Sequence, residues 1–425
     1  MNNILDKQGY KTIKSSIISC CYLIYYYIRR TNYLSQIYKN QYNNIDMKSI
    51  STIIALILII VIIFAIIGTF YAFTRSSSNS TSSALTCQLP YLSLILYNTQ
   101  NISTPSPFQQ DIAICNGSIN IGNSFAYINN ATLFNEINPN GSNVYFTSTC
   151  NSVPNIYSWY EGQFTYNGIT CDVWWINLPQ GIHYNSKITI YMYIGSSVNY
   201  YSQYYPYVGA PIQVLGTSQY DNGQKVFNYY QNFGGLSSLP SRWIYVYRNQ
   251  NSVSFSTDYT IIRSVLSTTV NFNMKNNILE IYASVPTTSG TGFDYIDLGV
   301  GAAFTRGSYF GNGYGVLIVG GNSYGAAFSY NSIGTAGKFN LYAGASNVGS
   351  TTYNYAPTIY EIGFSSGYTY FLVNYTQILS TTIIPGSFSL PVTIAQQESG
   401  NDIYLYWVLL RSLPPNDVMP SIYIG

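Results

Sequence analysis

The sequence predicts a mainly β protein carried on one N-terminal apolar helix. Three observations predict it. A single uncharged apolar run, residues 50–73 (ISTIIALILIIVIIFAIIGTFYAF), stands between a short leader and a much longer remainder. Beyond it, short β-branched and aromatic runs recur between Gly, Asn, Pro and Ser, the pattern of an all-β sandwich or barrel. No long amphipathic helical repeat interrupts those runs.

The apolar run comes first. At 1.5 Å per residue it rises about 36 Å, enough to cross a hydrocarbon core of about 30 Å. Lys48 and Arg75 flank it. The leader carries seven basic residues, Lys7, Lys11, Lys14, Arg29, Arg30, Lys39 and Lys48, against two acids, Asp6 and Asp46. Basic flanks stay cytoplasmic, so the N-terminus is expected inside, 50–73 across the membrane and the bulk outside. The apolar stretch 17–28 is too short to span. Residues 1–49 are therefore read as a cytoplasmic segment, or residues 1–46 as lying upstream of a true start at Met47. From Met47 the chain (MKSISTIIALILIIVIIFAIIGTFYAF) resembles the N-terminus of archaeal type IV pilin-like proteins. That resemblance implies processing at Ser49 and Ile50, and self-assembly through the apolar helix. A plain, uncleaved anchor is the other reading.

The composition of the long part fits an exported domain. Four of the six cysteines lie there, Cys87, Cys115, Cys150 and Cys171, and an even number outside the cell suggests two disulfides. Pairing neighbours, 87 with 115 and 150 with 171, closes the shortest loops, but sequence does not fix connectivity. Six Asn-x-Ser/Thr sites, at Asn79, Asn101, Asn116, Asn130, Asn140 and Asn374, are candidate glycan acceptors in a chain where Asn, Ser and Thr abound. Charged residues make up only 8%, against about 25% in ordinary globular domains. After Lys48 come ten basic and thirteen acidic residues, without a basic cluster, which argues against nucleic acid. Neutral amides, hydroxyls and 46 Tyr supply the surface instead. Such a chain is expected to tolerate acid, because few carboxylates means little stability lost on protonation.

Residues 74–84 form a Ser/Asn/Thr linker. Residues 187–195 (KITIYMYIG) alternate, with Ile188, Ile190, Met192 and Ile194 on one face and Thr189, Tyr191 and Tyr193 on the other. Further strands are expected at 278–285, 315–319, 339–343 and 403–410, and a hairpin at 359–364 and 368–373 about Ser365-Ser366-Gly367. The length suggests two domains, 85–232 and 233–425, divided where the cysteines end and a Gly-rich stretch begins.

Several motifs then carry a resemblance in order. NGSNVYF at 140–146, Trp159, Trp174-Trp175 and ITIYMYIG at 188–195 resemble an uncharacterised β-domain of large bacterial and archaeal surface proteins. FNYYQNFGG at 227–235 with Leu239 and Trp243, then Tyr406-Trp407-Val408, Arg411 and PSIYIG at 420–425, resemble the concanavalin A-like module that follows it. The resemblance implies a second domain built as a jelly roll, two antiparallel sheets about 10 Å apart. Asn140, Asn143 and Tyr406 stand where the motifs carry Asp, and the Gly-rich stretch 299–325 is atypical.

Candidate chemistry is sparse. His183 is the only histidine and is expected in a loop. C-x-x-C is absent from the exported part, which argues against zinc. A glycosidase needs two facing carboxylates. Glu280 and Glu361 each stand alone on a strand, while Asp294 and Asp297 are three apart and face opposite sides. Calcium has Asp294, Asp297 or Asp402 as candidate ligands, with no recognisable loop. Tyr200, Tyr201, Tyr204, Tyr205 and Tyr207 form a candidate sugar-stacking cluster, or else pack between domains. The reading is a membrane-anchored or filament-associated extracellular protein, not an enzyme, with an adhesive, carbohydrate-binding or structural role. A structural or host-attachment protein of an archaeal virus is the alternative, and a glycoside hydrolase is the disfavoured third.

Overall fold

The computed structural model describes residues 91–425 except 151–152, 197, 248–252, 286–294, 302–325, 332–337, 344–345, 353–355, 386–387 and 398–401. All belong to one compact unit, Thr86–Gly425. The span 50–73, the leader with Ser49 and Ile50, the linker, Cys87, Asn79, Asp294, the strand at 315–319 and most of the Gly-rich stretch lie outside the described residues. Among the described residues no helix is long and apolar enough to cross a membrane.

Four main sheets stack in layers. The outermost has four antiparallel strands in the order Ser421–Ile424, Tyr91–Asn98, Ser186–Ile194, Val144–Thr147. Beneath it lie five, in the order Tyr127–Asn129, Phe108–Cys115, Ile169–Leu178, Ser158–Tyr166, Val208–Gly209, with parallel pairs at both ends. The alternation expected at 187–195 sets this pair. Ile190 and Met192 turn inward with Leu94, Leu96 and Phe146 to meet Ile112, Ile114 and Trp174, whose ring lies 6.2 Å from that of Phe146.

The next sheet runs Val253–Phe255, Thr260–Ile262, Ile403–Ser412, Asn277–Ser284, Thr358–Phe364, Thr369–Val373, Thr376–Thr381, and Tyr229–Asn232 adds itself beside Ile403–Ser412. The last runs Trp243–Tyr247, Val265–Thr268, Val392–Gln397, Tyr295–Val300, Ala326–Asn331, Lys338–Ala343, Ser346–Thr352. Every pairing in these two sheets is antiparallel, as a jelly roll requires. Leu279, Ile281, Ile362 and Val408 meet Leu298, Phe328 and Ile394 in a second apolar core. The expected hairpin forms, with Thr358–Phe364 and Thr369–Val373 joined through Ser365–Tyr368.

The two middle sheets pack directly on each other, side chain against side chain. Trp159 and Trp175 of the five-stranded sheet pack on Trp407, Leu409, Ile359 and Tyr375 of the eight-stranded one, and the Trp159 and Trp407 rings lie 5.8 Å apart. Each of these tryptophans is at most 1% exposed, which stabilises the fold by on the order of 4–6 kcal/mol per ring by area.

Two expectations are corrected. Cys115 bonds to Cys171, not to a sequence neighbour. The two are cross-strand partners in the Phe108–Cys115 and Ile169–Leu178 pair, with Cα atoms 4.0 Å apart, so strand register and not loop length chose the bridge. Cys150 is also disulfide-bonded. Second, the residues expected to close the second module return to the first sandwich. Ser421–Ile424 pairs with Tyr91–Asn98, with Leu94 opposite Ile424, because Ile422 finds its apolar surroundings there.

Candidate functional site

The strongest polar chemistry among the described residues lies between the two sandwiches. Asn277–Ser284, Thr358–Phe364 and Ile403–Ser412 are apolar strands that each bring charge into the middle layer, Glu280, Glu361 and Arg411. Period two turns Leu279 and Ile281 into the second core and Glu280 the other way. Register does the rest. Glu280 is the direct cross-strand partner of Glu361, and Arg411 pairs with Ile278 one step along. All three side chains are fully buried. Arg411 donates from Nε to Glu280 Oε1 and from a terminal nitrogen to Glu361 Oε1 at 3.1 Å. Its guanidinium lies 4.7 Å over the Trp175 ring.

The five-stranded sheet adds two more acids. Asp111, fully buried, accepts from Ala126 N at 2.7 Å and from Gln110 Nε2 at 3.1 Å. Glu161 is the extra residue of a β-bulge between Tyr160 and Gly162, which aims it across the layer. The residue as a whole is half-buried. Its Oε2 accepts from Trp175 Nε1 at 2.7 Å and from Tyr375 Oη at 2.5 Å. Tyr375 sits in a tight turn with Asn374, both at positive φ, 49° and 65°. For a bulky residue that conformation is strained by on the order of 1–2 kcal/mol. Its side chain and its amide, which donates to Glu361 Oε2 at 2.7 Å, hold it there.

One guanidinium cannot balance four carboxylates in so buried a layer. Burial pushes Asp111 up to about 8, the Ala126 amide pulling the other way. Burial, then the charge of Glu280, raises Glu161 to about 7. The same two causes carry Glu361 well above the carboxylate range. Burial alone would lower Arg411, but Glu280 and Glu361 more than offset it and hold it charged. Asp417, near Arg411, is raised to about 6 by burial.

A second carboxylate marks the crossing from one sandwich to the other. Asp221 accepts from Trp159 Nε1 at 3.1 Å, Gly223 N at 3.2 Å, Tyr230 Oη at 2.7 Å and Asn232 Nδ2 at 2.8 Å. Tyr230 and Asn232 belong to the strand that joins the eight-stranded sheet. Neither arrangement was visible in the sequence. The signal of the first is a lone carboxylate inside an otherwise uncharged strand, as in NILEIYAS and TIYEIGF.

The residues singled out in sequence fall elsewhere. Tyr200 and Tyr201 are buried, Tyr204 and Tyr207 half-buried, and Tyr205 is 48% exposed. Tyr200 and Tyr204 pack on Tyr145 over the outer face of the four-stranded sheet, not between domains. Tyr200 and Tyr204 lie 5.0 and 5.3 Å from Tyr145, and Tyr207 stacks on Tyr157 at 4.7 Å. His183 is exposed in a loop, with Nδ1 3.5 Å from Ser103 Oγ. Asp402 spends both oxygens on Arg263, at 2.6 and 2.7 Å. Asp297 is buried in the seven-stranded sheet, and no cluster of three metal-ligating residues occurs among the described residues. Asn101 and Asn116 are exposed. Asn130, Asn140 and Asn374 are half-buried, each with Oδ1 accepting from a backbone amide.

The half-exposed aromatic surface is the rest of that outer face of the four-stranded sheet. Tyr91, Tyr193 and Tyr145 stand side by side on three strands, with rings 5.0 and 4.7 Å apart, Tyr145 being buried under Tyr200 and Tyr204. Tyr191 and Tyr97 continue the same face, Lys187 Nζ lies 4.8 Å over the Tyr97 ring, and Tyr423 at the edge is 46% exposed.

No family model matches the chain. The uncharacterized protein 562 of Sulfolobus islandicus rod-shaped virus 1 is 28% identical over 375 residues, covering 77% of this chain and 58% of that protein. The chain thus spans less than two thirds of that relative's length. Among solved structures, the carbohydrate recognition domain of Emp47p matches at TM-score 0.34 and 12% identity, over 43% of this chain and 95% of that one. SCLam, a non-specific endo-β-1,3(4)-glucanase from family GH16, matches at TM-score 0.33 and 8% identity, over 43% and 89%. Scores of that size leave the architecture resting on the strand pairing itself.

Proposed function

We propose that this chain is a surface-displayed β-protein with a structural or attachment role, and that the tyrosine-lined outer face of the four-stranded sheet is its contact surface for carbohydrate. That face carries the reading. Tyr91, Tyr97, Tyr191, Tyr193 and Tyr423 offer rings and hydroxyls together, with Lys187 at one corner, and sugars are held by aromatic faces plus hydrogen bonds. The seven-on-eight antiparallel sandwich accords with a concanavalin A-like module. The apolar run 50–73 would fix the base in a membrane or filament, and the viral relative favours a virion over a cell surface. The role is non-catalytic in this reading. Glu280 and Glu361 do stand side by side, yet they are closed beneath the five-stranded sheet and engaged by Arg411, where no glycosidic bond reaches them.

A glycan array probed with the full chain tests this. Binding should appear for at least one glycan class and fall tenfold or more in Tyr191→Ala and Tyr97→Ala, with thermal stability kept. Binding that survives both substitutions, or none to any glycan, refutes the contact surface. Immunogold microscopy of the source then separates virion from cell envelope.

A further inference from the structure

We propose that Asp111, Glu161, Glu280, Glu361 and Arg411 form a proton-dependent latch, which closes the two sandwiches on each other in acid and loosens them as the solution turns alkaline. The inference does not depend on the carbohydrate reading. It rests on where these groups sit. Four carboxyls and one guanidinium share the layer between the five- and eight-stranded sheets, and all but Glu161 are fully buried. Ionised together they would leave three uncompensated negative charges in a largely buried layer, a state a protein avoids by keeping protons. The groups facing the cluster are Asp111 from Phe108–Cys115, Glu161 from Ser158–Tyr166, Glu280, Glu361 and Arg411 from the eight-stranded sheet, Tyr375 from its turn, and Asp417 after the last central strand. Arg411 is the lone cation among them.

The sign follows from linkage. Asp111 and Glu161 have folded values near 8 and 7, above their ordinary 3.8 and 4.5. Their contribution is fully present below about pH 4 and is lost as pH rises through about 7 and then 8. This runs opposite to acid denaturation, in which paired carboxylates lose stability on protonation.

The test uses the full chain in detergent, with melting temperature and tryptophan emission followed from about pH 4 to about pH 9. Melting should be highest in acid and fall by roughly 10 °C across the range. Emission should shift over the same interval, since Trp175 touches both Arg411 and Glu161. The double variant Asp111→Asn with Glu161→Gln keeps neutral side chains and should flatten both curves. A parent curve that is level or rises with pH overturns the latch. So does a slope that survives the double variant, or one abolished by Asp172→Asn, whose carboxyl lies inside the first sandwich against Tyr160. Should the double variant not fold, infrared spectra of the parent decide. A protonated-carboxyl stretch persisting near pH 6 and vanishing by about pH 9 supports the latch, and no such band near pH 6 refutes it.

Discussion

Arg411 and Arg263 each hold acids, in opposite settings. Arg263 grips Asp402 with two parallel hydrogen bonds of 2.6 and 2.7 Å, and their side chains are 40% and 25% exposed. Arg411 divides its fork between Glu280 and Glu361, and nothing of the three reaches solvent. By geometry alone the exposed pair is the better one. By consequence it is the weaker, because water and salt screen it and would solvate either partner left behind. Contact quality and energetic weight are therefore different properties. Among the described residues charge matters most where it is buried, while the tyrosine face near solvent carries hydroxyls and one lysine.

The largest expected effect breaks the buried site. Arg411→Met fills similar volume and leaves the carboxyls without a cation. It should destabilise by about 3–5 kcal/mol near pH 8. Near pH 4 the loss should be much smaller, since protonated carboxyls need no counter-ion. Chemical denaturation at both values reads the difference. An equal loss at both would mean that the packing of the Arg411 stem on Trp175, and not its charge, is what the junction uses.

How much of this could be read beforehand depends on the distance along the chain. Local alternation placed Ser186–Ile194 and told its buried face from its tyrosine face. The hairpin at 358–373 was legible from Ser365-Ser366-Gly367, since the turn and its strands are neighbours. Glu280 and Glu361 were visible as lone charges, but their adjacency comes from a register linking residues 81 apart, which tertiary packing sets. The same holds for Cys115 and Cys171, and for the last strand, whose partner lies at the start of the described chain. Periodicity says which face a residue takes. It does not say what covers that face, and the site is made by a sheet covering another sheet.

A smaller effect sharpens the comparison by adding a carboxylate where no cation waits. Asn143 stands where the surface-protein motif has Asp, and it is 1% exposed. Its Nδ2 donates to the carbonyls of Glu136 and Gly195 at 2.8 and 2.9 Å, and its Oδ1 accepts from Asn138 N at 2.8 Å. A carboxylate cannot donate, so Asn143→Asp turns two hydrogen bonds into two repulsive contacts. The expected cost near neutral pH is about 1–3 kcal/mol, partly recovered in acid when one donor returns. Thermal unfolding at two pH values checks it. A neutral outcome would mean that the loop about residues 136–143 yields to accept the charge.

The smallest effect belongs to the surface. Arg263→Gln removes a guanidinium that makes two short bonds to Asp402 and a third, at 3.3 Å, to Ser254 Oγ. Counted as contacts, it resembles the Arg411 change. Counted as desolvation, it is a different event, because Asp402 is left partly in water and needs no proton to remain. The expected loss is under about 1 kcal/mol, and about 1 M salt should erase most of it. Parallel melts of Arg263→Gln and Arg411→Met, with and without salt, place both arginines on one scale. A salt-insensitive loss of several kcal/mol at Arg263 would show that its strand edge is buried in the native assembly, and the contrast between the two sites would then be one of degree.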